Sequence, residues 1–173
     1  SKFSATDTTH NLQVASGKVE RYHVESQFID ARNVDIWVPE NYSTDDHYSV
    51  LYMHDGQMLF DSTETWNGQE WKVDETVSTL IKKGQIENVI VVGIWNNGKQ
   101  RHAEYFPEKA IDNIGSSERG SLLQLLTIPP KADNYLNFLT NELKPFVDNN
   151  YATYKDREHT FVMGSSMGGL ISI

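Results

Sequence analysis

Apolar and polar positions along this chain predict five strands. Strict alternation marks residues 18–24, which suit an edge strand, and residues 34–38. Nearly continuous apolar runs at 49–53, 88–94 and 160–163 are typical of strands covered on both faces. Buried strands that alternate with helices belong to largely parallel sheets, so the pattern predicts an α/β fold with helices on both faces.

Apolar residues recur at helical spacing in two segments between these strands. The first is 73–83, where Gly84 stands at the expected C-terminal cap. The second is 133–150, which Pro145 should kink or interrupt because proline lacks an N–H. Residues 96–131 carry no clear period and are predicted to form a long irregular loop, which in a compact domain is usually functional.

The ends of the chain predict its domain organisation. Residues 1–16 are rich in Ser, Thr, Asp and Asn and are predicted to form a mobile or loosely attached lead. Residues 17–173 are predicted to form the N-terminal portion of a single domain. The last helix would have about two turns at 3.6 residues per turn, too few to cover a sheet. We therefore expect the natural protein to continue beyond Ile173.

Charge and composition exclude several functional classes. The net charge of −9 argues against nucleic acid and against anionic membrane surfaces as partners. No apolar run approaches the length of a membrane span. With no cysteine, disulfides, thiolate metal sites and a cysteine nucleophile are excluded. The six histidines form no ligand cluster, so we expect no metal.

Residues 164–168 match the pattern G-x-S-x-G, with Ser166 at the centre. The pattern follows a predicted strand and opens a predicted helix, which is the context of a nucleophile elbow. Such a turn exposes the serine hydroxyl, and the amide of Met167 could stabilise a negative oxygen. The alternative interpretation is a structural glycine-rich turn.

A second candidate element, His-Asp-Gly-Gln at 54–57, directly follows the strand at 49–53. Acyl transfer needs two amide donors on the developing oxyanion, and the second donor comes from a loop in this position. We expect the Gln57 amide to be that donor. The alternative is a simple turn at the end of the strand, because Asp-Gly is common in turns.

Together these segments resemble the putative esterase family of α/β-hydrolases. That family includes feruloyl esterases, enterochelin esterases, S-formylglutathione hydrolases and mycolyltransferases. The resemblance covers most of residues 30–173. The matching segments run in family order at 51–61, 66–71, 91–94, Arg101 with 104–107, and 163–170.

The resemblance implies an α/β-hydrolase fold with a mostly parallel sheet, of which this chain covers the part through the nucleophile elbow. It implies Ser166 as nucleophile, the amides of Met167 and Gln57 as oxyanion hole, and no cofactor. The acid and the histidine of the family triad follow the serine in chain order, so neither can be assigned here. The chain as it stands is therefore expected to be inactive.

Five further residues could line a substrate cleft: His54, Trp66, Arg101, His102 and Tyr105. Trp66 could stack on an aromatic or sugar group. Arg101 could meet a substrate anion or bond loop carbonyls. For each of these residues a structural role is the alternative, because a sequence does not reveal the geometry that defines a site.

The leading hypothesis is a serine carboxylic ester hydrolase that works through an acyl-enzyme. Feruloyl or acetyl esters of plant polysaccharide, or a small-molecule ester, are the substrates that the resemblance implies. An acyltransferase on the same site and a non-catalytic binding module are the alternatives. A secreted or periplasmic location is favoured over a cytoplasmic one, and the oligomeric state stays open.

Overall fold

The computed structural model describes residues 1–6, 12–126 and 128–173. Six strands lie in these ranges, and all five strands expected from the sequence are among them. The strands are β1 Lys2–Ala5, β2 Lys18–Glu25, β3 Arg32–Val38, β4 Ser49–His54, β5 Val89–Ile94 and β6 Thr160–Met163.

The helices of the described ranges are α1 Val73–Lys82, α2 Arg101–Tyr105, α3 Glu108–Ile111, α4 Ser116–Leu125, α5 Ala132–Phe138, α6 Lys144–Asn150 and α7 Met167–Ile171. The prediction that 96–131 is irregular is wrong, because α2, α3 and α4 lie there. α2 buries Glu104, so hydrophobic spacing gave no sign of it. No helix in the part of the chain that the structure describes is long and apolar enough to cross a membrane.

The strands form one sheet in the order β1-β2-β3-β5-β4-β6. β4 is parallel to both β5 and β6, whereas β1, β2 and β3 pair antiparallel with their neighbours. The sheet is therefore mixed, and the expected parallel arrangement holds for β4, β5 and β6. Because parallel strands share one carboxyl edge, the chain leaves β4, β5 and β6 on the same side of the molecule.

The core lies on both faces of the central strands, as the apolar runs predicted. Successive residues of β5 point to opposite faces, so Val91 and Val92 belong to different apolar clusters. The cluster around Val92 packs against α5 and α6 through Phe138 and Val147. The cluster around Val91 packs against α1 through Val77.

The helix expected at 133–150 is interrupted, as Pro145 predicted. α5 passes into a π-helical segment, Leu139–Leu143, before α6 begins. Pro145 lies in the first turn of α6, where a missing N–H costs least. The irregular hydrogen bonding is thus confined to the turn immediately before it.

The prediction of a mobile lead at 1–16 does not hold for Lys2–Ala5. These residues pair antiparallel with β2, so β2 is not the edge strand that its alternation suggested. The amides of Gln13 and Ala15 donate to the carboxylates of Asp61 and Asp74 at 2.9 and 2.7 Å. Residues 7–11 lie outside the described residues, and continuation of the domain beyond Ile173 stays a prediction.

Candidate active site

Ser166 lies at a sharp turn between β6 and α7, with φ 56° and ψ −121°. A positive φ is unusual for a residue with a side chain, and such backbone strain costs about 1–3 kcal/mol. The neighbouring Ser165 and Ser166 side chains are exposed. The turn therefore holds a hydroxyl in the open at the carboxyl edge of the sheet, and residues 164–168 are called the elbow below.

Glycines allow the two arms of the elbow to touch through their backbones. A Cβ placed on Gly164 would lie 2.3 Å from the carbonyl carbon of Gly168. A Cβ on Gly168 would meet the Cβ of His54 at 3.3 Å and Oδ2 of Asp55 at 3.4 Å. The elbow thus rests directly on residues 54–57, which are called the β4 turn below.

Both amides predicted to form the oxyanion hole have no protein acceptor among the residues that the structure describes. One is the Met167 amide in the elbow, and the other is the Gln57 amide in the β4 turn. The amides that follow them are satisfied, since Gly168 donates to Ser165 O and Met58 to Asp55 O, both at 2.9 Å. An unpaired amide beside a surface serine is free to bind a ligand oxygen.

The β4 turn is pressed against the neighbouring strand. Asp55 has a left-handed backbone with φ 59° and ψ 44°. A Cβ on Gly56 would lie 2.4 Å from the carbonyl carbon of Gly93 in β5, so only glycine fits. The turn therefore has little freedom to move toward the sheet.

Side chains from beyond β5 bind the buried carboxylate of Asp55. Arg101 donates to it through Nε at 2.7 Å and through one terminal nitrogen at 2.8 Å. Asn96 donates through Nδ2 at 2.8 Å. These bonds to Asp55 raise the pKa of Arg101. Arg101 was predicted to line the cleft, and the structure instead gives its guanidinium a partner within the protein.

The side chain of Gln57 is fixed by the backbone of the same asparagine. Asn96 N–H donates to Gln57 Oε1 at 3.0 Å, and Gln57 Nε2 lies 3.4 Å from Asn96 O. These two contacts resemble the paired hydrogen bonds between neighbouring β-strands. They hold the side chain of Gln57, whose own backbone amide has no protein acceptor in the described ranges.

His54 and Tyr105 were predicted to line the cleft, and that prediction is wrong because both side chains are fully buried. His54 Nδ1 lies 2.7 Å from the Tyr135 hydroxyl, and burial lowers the pKa of His54 to about 4. The Tyr105 hydroxyl accepts the Asp55 amide at 3.4 Å. Both residues support the β4 turn from beneath.

The remaining cleft candidates lie at the surface. Trp66 is 87% exposed on the connection before α1. His102 is exposed on α2, next to Arg101. No hydrogen bond among the described residues links either side chain to Ser166, so a role in the cleft stays a prediction for both.

Sequence reasoning missed the polar network behind the site. Asn96 received no role, and neither did the buried ion pair between Arg32 and Glu104, whose two contacts are 2.7 Å each. Its position in the sequence could have indicated a role for Asn96. Asn96 follows β5 at the same sheet edge as the β4 turn, and side chains at that edge converge.

Two further features lie outside this site. The carboxylates of Glu70, Asp74 and Glu75 lie within 4.8 Å of one another and could hold a hard cation. An open apolar groove of about 780 Å³ runs between α1 and β6, where Leu80 and Phe161 line it. Of the described residues that line this groove, none belongs to the elbow or the β4 turn.

Comparison with known sequences matches this chain to one family. The family model described as Putative esterase matches residues 26–173. The uncharacterized protein YjcH of Bacillus subtilis (strain 168) is 27% identical over 139 residues, covering 80% of this chain and 46% of YjcH. The chain spans about half the length of the curated relatives it matches.

Solved structures show the same fold. An IroE-like serine hydrolase from Shewanella oneidensis is similar with a TM-score of 0.63 and 25% identity, covering 89% of this chain and 44% of the other. A CE1 ferulic acid esterase from Anaeromyces mucronatus, in complex with ferulic acid, is similar with a TM-score of 0.58 and 19% identity. That match covers 94% of this chain and 54% of the esterase.

Proposed function

Because the chain belongs to the Putative esterase family and has an α/β-hydrolase fold, we propose that the whole protein hydrolyses carboxylic esters through an acyl-enzyme on Ser166. The observation that carries this proposal is the backbone of Ser166. Its φ of 56° and ψ of −121° belong to a strained turn that the glycines around it allow. Strain of this kind persists at functional sites because the surrounding structure holds it there.

In the proposed reaction, the Ser166 hydroxyl attacks the ester carbonyl carbon. A base takes its proton, and the carbonyl oxygen becomes an oxyanion that the Met167 and Gln57 amides bind. The intermediate collapses, and the protonated base gives its proton to the leaving oxygen, so that the alcohol departs and an acyl group stays on Ser166. Water then attacks the acyl group and releases the acid.

The base and its acidic partner are proposed to lie after Ile173, since the curated relatives are about twice as long as the match. His54 does not fit the role of base. It is enclosed, and at neutral pH a pKa of about 4 leaves it neutral, so a proton added there would be costly.

The proposed substrates are feruloyl or acetyl esters of plant polysaccharide, or small esters of the same chemistry. A ferulic acid esterase with a similar fold has been solved in complex with ferulic acid. The reaction as proposed needs no cofactor.

A fluorophosphonate probe tests the proposal on the full-length protein. We expect one covalent adduct, located by peptide mass spectrometry on Ser166. The variant Ser166→Ala should lose the adduct, whereas Ser165→Ala, which changes the adjacent exposed serine, should keep it. An adduct on another residue, or none with the folded wild type, would refute the mechanism.

A further inference from the structure

We propose that Asn96 and Arg101, here called the clamp, are positioning residues that hold the Gln57 amide where the oxyanion forms. The inference rests on the proposed function, since it assumes that this amide is an oxyanion donor. It assigns to Arg101 a role in orienting the protein's own backbone, in place of contact with substrate.

The first support is that the hydrogen bonds that the clamp side chains donate end on the β4 turn, while Asn96 Oδ1 accepts from the Gly98 amide at 3.0 Å. Arg101 and Asn96 together direct three hydrogen bonds of 2.7–2.8 Å to the Asp55 carboxylate. Asn96 also pairs its backbone with the Gln57 side chain. The residues on both sides of Gly56 are therefore tied, and the peptide between them carries the orientation of the Gln57 amide.

The second support is that the turn needs such a restraint. Asp55 has a left-handed backbone, and the Gln57 amide has no protein partner in the described ranges. No hydrogen bond of that amide therefore fixes its direction. Oxyanion donors act by being oriented before the reaction, and an error of about 1 Å can cost about 100-fold in rate.

The third support is that the clamp also reaches the elbow. Asp55 Oδ2, which accepts from Arg101, lies where a Cβ on Gly168 would be 3.4 Å away. α2, which begins at Arg101, packs against α7 of the elbow. One ion pair thus fixes the turn that supplies Gln57 relative to the elbow that supplies Met167.

The test compares variants of the full-length protein. Asp55→Asn keeps the size of the side chain and suits a left-handed backbone, but it removes the charge that Arg101 binds. Arg101→Lys keeps the charge but loses the two-point contact. The matched control is Arg21→Lys, because Arg21 holds buried Asp35 through two bonds of 2.7 and 3.0 Å between β2 and β3.

We measure kcat, KM and melting temperature for an aryl ester, and the affinity for a trifluoromethyl ketone that forms a tetrahedral adduct. Asp55→Asn should lower kcat by about 10- to 100-fold, less than the loss of a whole donor, with KM changed by less than about threefold. Affinity for the ketone should fall by the same factor as kcat. Arg101→Lys should show a smaller loss of the same kind, and Arg21→Lys should lower only the melting temperature.

Three results would overturn the inference. Asp55→Asn could match the control in kcat, which would make the ion pair purely structural. Arg101→Lys could raise KM alone, which would make Arg101 a substrate contact. The variant that combines Asp55→Asn with Arg101→Lys could lower kcat by the product of the two single-variant factors. Two residues that act as one unit should instead give a smaller combined loss than that product. Failure of the proposed function is separate, because the wild type would then not react with the fluorophosphonate.

Discussion

The elbow and the β4 turn follow neighbouring parallel strands, and each has an amide with no protein acceptor in the described ranges. The two turns are nevertheless held in different ways. In the elbow Ser165 and Ser166 are exposed, and glycine backbones fix the turn by direct contact. The β4 turn is buried at His54 and Asp55, and charged and polar side chains fix it. One of the two proposed donors is therefore positioned by steric fit of the backbone, and the other by electrostatic contacts.

This difference predicts which kind of substitution should affect each turn. A turn fixed by backbone contact responds to an added Cβ and hardly to charge. A turn fixed by an ion pair between the buried Asp55 and the partly exposed Arg101 responds to removal of either charge, because burial makes an unpaired charge costly. Substitutions and changes of pH should therefore affect the elbow and the β4 turn differently.

The largest effect should come from Ser166→Ala, which removes the proposed nucleophile and leaves both turns in place. Loss of the nucleophile in a serine hydrolase costs about 10⁶-fold in kcat. Since Ser166 is exposed, the melting temperature should stay within a degree or two of the wild type. Hydrolysis of an aryl ester by the full-length protein measures it, with Ser165→Ala as the control that keeps activity. Equal losses in both variants would mean that the elbow tolerates no change at all.

Both turns should require glycine at their points of close backbone contact. Gly164→Ala and Gly56→Ala each place a Cβ within 2.4 Å of backbone, so each should cost about 3 kcal/mol of stability or prevent folding. Gly120→Ala is the control, because a Cβ there meets nothing within 4 Å. On the exposed face of α4 it should stabilise by up to about 1 kcal/mol. Chemical denaturation gives all three values.

A Gly56→Ala variant as stable as the wild type would show that β5 yields to the turn. The contrast between the two turns would then be sharper than proposed, because only the elbow would depend on close backbone contact.

The third prediction concerns pH and belongs to the β4 turn alone. Burial lowers the pKa of His54 from 6.5 to about 4, so the unfolded chain binds a proton that the folded chain does not between these values. His54 should therefore contribute a loss of about 3 kcal/mol of stability as pH drops from 7 to 4, and the raised pKa of Asp74 acts in the opposite direction. The difference between the wild type and His54→Gln in urea denaturation at both pH values measures the His54 contribution. His54→Gln should remove this loss, whereas His23→Gln, which changes an exposed histidine, should keep it.

The smallest effect should come from Asp74, a buried carboxylate that, unlike Asp55, has no arginine partner in the described ranges. Asp74 faces Glu75, and burial raises the pKa of Asp74 to about 6. A raised carboxyl pKa favours the protonated folded state, so this contribution is present below pH 4 and is lost as pH rises through 6. Asp74→Asn should thus stabilise the protein by about 1 kcal/mol at pH 8 relative to pH 5. The opposite sign would mean that a cation neutralises the cluster.

Much of the fold could be predicted because apolar periodicity reports burial directly. The β4, β5 and β6 runs and the α1 spacing gave their positions to within one residue at each end. The elbow was recognisable because strand, glycine spacing and helix start are all local features. β1 was missed because the alternation in Lys2–Ala5 is only four residues long, too short to stand out from a polar lead.

The support behind the site could not be predicted, because it joins residues far apart in the chain. Asn96 and Arg101 reach Asp55 across 41 and 46 positions, and neither residue lies in a periodic pattern. His54, Arg101 and Tyr105 were therefore expected in the cleft on the strength of their chemistry. Packing decides their roles, and packing turns two of them inward.

The most direct test of the account is the structure of the full-length protein after reaction with a phosphonate. The adduct should sit on Ser166, with its phosphoryl oxygen about 2.7–3.1 Å from both the Met167 and the Gln57 amide nitrogens. A phosphoryl oxygen directed to solvent, or held by groups other than these two amides, would contradict it.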